Sequence, residues 1–142
     1  MLENLIHHLK SPESKAHQEL TEINKAVDTV MESVALQTRK NFCISELDQI
    51  GKRIEDFGRD HLAHLKDPAV ADLLYSKYLI AKAVNEFDPD VYAQALTTAD
   101  RGDQRGKIFG WANELERSYP MIAQAISSLG VAAEEKLRQK DL

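Results

Sequence analysis

The stretch from Ala16 to Val34, AHQELTEINKAVDTVMESV, decides the fold. Its apolar residues Ala16, Leu20, Ile23, Val27, Val30 and Val34 recur at alternating steps of four and three. That spacing puts all of them on one stripe of an α-helix. A second stretch keeps the rhythm with Leu47, Ile50, Ile54 and Phe57, then places His61 and His64 where apolar residues are due. Two such stripes mean a chain built to pack helix against helix.

The flanks of the first stripe separate two architectures. A two-stranded zipper carries charges beside its seam. Here the neighbours are Glu19, Ala26 and Ser33 on one side and His17, Asn24 and Met31 on the other. Glu22, Lys25, Asp28 and Glu32 lie mostly farther round, and Ala26 and Met31 widen the apolar face. A wide face suits a multi-helix bundle.

Start and stop signals give the remaining elements. Ser11-Pro12-Glu13 combines a cap, a first-turn proline and an acid at the positive helix end. Ser45-Glu46-Leu47-Asp48 resembles a capping box. These signals predict helices over 12–40 and 46–66, paired as a long antiparallel hairpin. Asp67-Pro68 and Asp88-Pro89 repeat one start signal, and Pro120 opens a final helix. Leu2, Leu5, Ile6 and Leu9 make a short amphipathic stripe before them. No segment alternates with period two. The expected fold is therefore an all-α bundle of about six helices, one helical domain over 1–142.

Composition agrees. Six glycines and four prolines in 142 residues leave few turns, which favours a few long helices. The net charge of −5 and the lack of a Lys/Arg run argue against direct nucleic-acid binding, which needs a basic face. The single cysteine, Cys43, cannot close an internal disulfide and reads as a small buried hydrophobe. No run reaches the roughly 20 apolar residues that span a bilayer. The first residues lack the basic lead and apolar run of a secretion signal, so a cytoplasmic location is expected.

Several residues invite a chemical reading. His61 and His64 are one helical turn apart with Asp60 beside them, and imidazole and carboxylate are metal ligands. The di-iron bundle pattern, a Glu followed three residues later by His on two helices, does not occur here. The segment 100–107 holds Arg101, Arg105 and Lys107 with two glycines, a composition able to cradle an anion or simply to make a solvated turn. Its Gly106-Lys107 is followed by Ile108, not by the Ser or Thr of a phosphate loop. Gly51 and Gly58 flank the second seam; each costs about 1 kcal/mol against Ala in a helix, a cost explained if another chain segment approaches closely.

No catalytic set is legible, and no cofactor is expected. The sequence reads as a non-enzymatic interaction protein, an adaptor or regulator binding itself or another protein and forming a homodimer. Leu20, Ile23, Val27, Val30, Val34 and Trp111 are its expected interface. The alternative is a small-ligand or metal-binding bundle centred on His61 and His64.

Overall fold

The structure, a computed structural model, describes residues 11–35 and 44–140. The stripe of residues 1–10, the stretch 36–40 and Cys43 lie outside the described residues. Those described form six α-helices and one 3-10 turn, without a strand. We number them α1 (Pro12–Ala35), α2 (Ile44–Asp60), α3 (Ala69–Glu86), α4 (Pro89–Arg101), α5 (Arg105–Ser118) and α6 (Pro120–Lys140), with the 3-10 turn over Leu62–His64.

The starts follow the local chemistry. Ser11 Oγ accepts the Ser14 N–H at 3.1 Å, capping α1. Asp67 accepts the Ala69 N–H at 3.1 Å before α3. Asp88 accepts the Asp90 and Val91 N–H groups at 2.9 and 3.4 Å before α4, with Pro89 in the first turn. Each cap satisfies backbone donors that have no partner inside the helix. Ser45 departs from expectation: α2 begins at Ile44, so Ser45 lies within its first turn.

The second helix is shorter than its stripe suggests. It stops at Asp60, and His61 leaves helical geometry at φ −129°. The chain tightens into the 3-10 turn and runs extended at Leu65. Asp67-Pro68 then follows, and the residue before a proline is held out of the α region.

The expected hairpin is present. Arg53 of α2 pairs with Glu19 and Glu22 of α1 at 3.0 and 3.2 Å, while Lys66 reaches back to Glu13 at 3.8 Å. Rising numbers on one partner meet falling numbers on the other, so α1 and α2 run antiparallel. The hairpin is not the centre, however. That place belongs to α3, which touches each of the other five helices. Residues 76–81 of α3 are buried without a break. A helix buried on every side loses the one-sided pattern that periodicity detects. The α3–α4 pairing is close enough that a Cβ on Gly102 would lie 2.6 Å from Asp72 Cβ. Here glycine is required by contact, since its φ is an ordinary −88°.

The seam of α1 closes inside this arrangement. Ala16, Ile23 and Val27 are fully buried, Val30 nearly so, and Leu20 and Val34 pack partly buried against the same core. Each buried Val or Ile contributes about 1.5–3 kcal/mol relative to exposure.

Candidate functional site

The residues singled out from the sequence fare differently in three dimensions. Ile23, Val27 and Val30 are covered by their own chain and have almost no surface to offer a second one. The seam by itself therefore does not require a dimer. His61 precedes the 3-10 turn and His64 is its last residue; the His61 ring lies 5.6 Å from the Phe57 ring, and His64 is exposed. Among the described residues no three His, Cys, Asp or Glu side chains gather into a group able to hold a metal.

The segment 100–107 is a tight turn between α4 and α5 with Asp100, Arg101, Asp103, Gly106 and Lys107 exposed. The link between α4 and α5 is three residues, and Gly102 and Gln104 in it are buried. Asp103, not a glycine, takes the left-handed conformation at φ 56°. The Gly102, Asp103 and Gln104 N–H groups bond to Thr98, Asp100 and Ala99 carbonyls, the last at 2.7 Å. No backbone donor of those three is left for an anion. Arg101 is taken by Asp72 at 2.6 Å and Arg105 by Asp100 at 3.1 Å.

Of the other expected interface residues, Leu20, Val34 and Trp111 are partly buried and pack against the core. The Lys77 ammonium lies 5.0 Å from the Trp111 ring centroid, within cation–π range. Lys77 is only 7% exposed, and its Nζ donates to Asn24 Oδ1 at 2.8 Å and pairs with Asp28 Oδ1 at 3.1 Å. One buried cation thus ties α3 to α1 and α5. Its position was legible: Lys77 lies three and four residues from Leu74 and Leu73 and four from Ala81, on the apolar face of its helix.

An open groove lies between α5 and α6. These helices leave the single connecting residue Tyr119 and enclose a groove of about 330 Å³. Along α5 it is lined by Phe109, Ala112, Asn113 and Glu116; along α6 by Ala123, Ser127, Gly130, Val131 and Glu134. Each set falls on one helical stripe. The α6 stripe is built of Ala, Ser and Gly, so the helices meet without filling the space between them. Tyr92 of α4 lines the groove as well, with Ile126 beside it. Burial, reinforced by Glu134, holds the Tyr92 phenol above its ordinary range, so its hydroxyl stays protonated at neutral pH.

Two features make this groove a docking surface. Phe109 is 48% exposed and Val131 67%, large apolar side chains left in water at its end. Glu116 and Glu134 line it, neither has an ion-pair partner among the described residues, and no Lys or Arg lines it. Phe109 is thus an exposed aromatic of α5, while Trp111 is partly buried. No protein-family model, curated protein or solved structure matches the chain. No helix among the described residues is long and apolar enough to cross a membrane.

Proposed function

We propose that the protein is a non-enzymatic helical interaction module, and that the α5–α6 groove receives an amphipathic helix of a partner protein with basic residues beside its apolar face. The observation that carries this is the groove's lining: an apolar stripe of small residues, exposed Phe109 and Val131 at one end, and two carboxylates in no ion pair among the described residues. A helix laid in such a groove buries its apolar anchors against Ala112, Ala123 and Gly130. Its lysines or arginines meet Glu116 and Glu134, which set orientation and speed encounter more than they add affinity.

The test uses the full chain and two designed amphipathic peptides, one of Leu and Lys and one of Leu and Glu, followed by NMR of the backbone amides. The Leu/Lys helix shifts Phe109, Ala112, Ala123 and Gly130, and salt weakens it. Replacing Glu116 and Glu134 together by Lys weakens it at least about tenfold, or about 1.4 kcal/mol. Ala123→Trp, which fills the groove, abolishes it. Equal binding of the Leu/Glu helix, or indifference to the charge reversal, overturns the proposal.

A further inference from the structure

We propose that the pocket between α1 and α3 is a binding site for a small apolar monocarboxylate, its head held by Lys77 and Asn24. This site is separate from the α5–α6 groove and does not rest on that reading.

A lysine inside a helical bundle has to be explained. Taking an ammonium out of water is unfavourable, and an apolar residue of similar volume serves a core as well or better. Lys77 does more than fill space, because its charge stands between two recesses of different character. Asp28 lines the cleft between α1 and α5, together with Lys25, Glu32 and Trp111. Asn24 lines the other recess, between α1 and α3, and so does Lys77 itself. The α1–α3 pocket therefore has in its wall a lysine and the neutral amide to which its ammonium donates.

The rest of that pocket defines the guest. Leu20, Val70, Leu73 and Leu74 supply apolar walls, and Thr21 completes the lining. No acidic side chain lines it. The Thr21 hydroxyl donates to the His17 carbonyl at 2.9 Å, so its hydrogen is already engaged within α1. A carboxylate entering head first takes the Lys77 N–H that Asn24 Oδ1 now accepts. The Asn24 amide then turns its own N–H toward the same head, giving two donors to one anion. A charged acceptor makes the stronger bond of the two that Lys77 can choose between. An amine finds no carboxylate within the pocket. The volume, about 220 Å³, falls below the ~300–1,000 Å³ of sites for drug-sized ligands, which limits the guest to a short chain.

Hexanoate is the probe, with hexylamine as its control, titrated into the full chain carrying labelled Leu and Val methyl groups. Hexanoate produces saturable shifts at Leu20, Val70, Leu73 and Leu74, and hexylamine does not. Lys77→Met, which keeps the stem and removes the charge, weakens binding at least about tenfold. Leu73→Trp fills the pocket from a partly exposed position and abolishes the shifts while leaving helicity intact. Should Lys77→Met fail to fold, Leu73→Trp and the amine control decide alone. Absence of saturation, equal binding of hexylamine, or shifts that survive Leu73→Trp overturn the proposal. Variants of Glu116 and Glu134 leave hexanoate binding unchanged, so failure at one site is distinguishable from failure at the other.

Discussion

Lys77 and Asp28 share one ion pair but not one environment. The Asp28 side chain is 49% exposed, whereas that of Lys77 is 9% exposed. Removing either partner therefore has unequal consequences. Lys77→Met releases a carboxylate that water can solvate and costs below about 1.5 kcal/mol. Asp28→Ala strands an ammonium with Asn24 and an indole face, and costs about 3 kcal/mol, near the penalty of an uncompensated buried charge. Urea denaturation of both variants measures the difference, and equal losses would sink the argument. Gly51 and Gly58 give a second contrast. A Cβ on Gly51 would stand 2.6 Å from the Tyr78 hydroxyl oxygen, while one on Gly58 would meet nothing within 4 Å. Gly51→Ala is expected to lose about 1–3 kcal/mol through overpacking. Gly58→Ala is expected to gain up to about 1 kcal/mol from helix propensity. Tyr78→Phe removes the closest atom and should restore part of the loss in the Gly51→Ala background. Both glycines looked alike in the sequence; only the neighbour opposite each one separates them.

At the scale of elements, period and caps carried most of the information. The stripe from Ala16 to Val34 was legible because α1 is covered on one side and wet on the other. Asp67 and Asp88 were legible because capping depends on residues a few positions apart. The centrality of α3 was not legible, since burial all round erases periodicity. What covers the α1 stripe was also hidden, because apolar spacing says that a side chain is buried and not by which helix. This changes what a substitution in the seam does. Val27→Asp puts a carboxylate at a fully buried position with no cation assigned to it. The penalty, several kcal/mol, is comparable to the 5–15 kcal/mol that holds a domain folded. The expected outcome is loss of helicity measured by circular dichroism at any protein concentration. A variant that kept its helices and merely fell from dimer to monomer would show instead that the seam closes between chains. The groove was half legible. Its stripes Phe109, Ala112, Asn113, Glu116 and Ala123, Ser127, Gly130 stand in the sequence, but small residues at helical spacing announce close packing and open grooves alike.

For the molecule as a whole, tyrosines at helix contacts link stability to pH. Tyr78 of α3 stands over Gly51 of α2, and Tyr92 of α4 over Gly130 of α6, where an added Cβ would lie 3.7 Å from the Tyr92 ring. Burial is the main cause that raises both phenols, with nearby carboxylates adding to it. At the corner between α5 and α6, Tyr119 donates its hydroxyl hydrogen to Glu32 of α1 at 3.1 Å, and that bond raises its pKa too. Each group binds its proton more tightly folded than unfolded. Its contribution is therefore complete below the ordinary phenol value of about 10 and lost as pH rises through the higher folded values. The carboxylates near these rings add to the rise, because every phenolate formed would face a negative charge already present. The bundle should thus show an alkaline unfolding transition in which helicity disappears together with the protonated phenols of Tyr78 and Tyr92. Circular dichroism and carbon NMR of ring-labelled tyrosine, followed over the same alkaline range, test the coincidence. Ionisation of Tyr78 and Tyr92 at the ordinary phenol value with helicity intact would show that these rings do not hold the helices together. Tyr92→Phe should move the transition to higher pH, since it keeps the ring under Gly130 and removes the proton whose loss drives the helices apart.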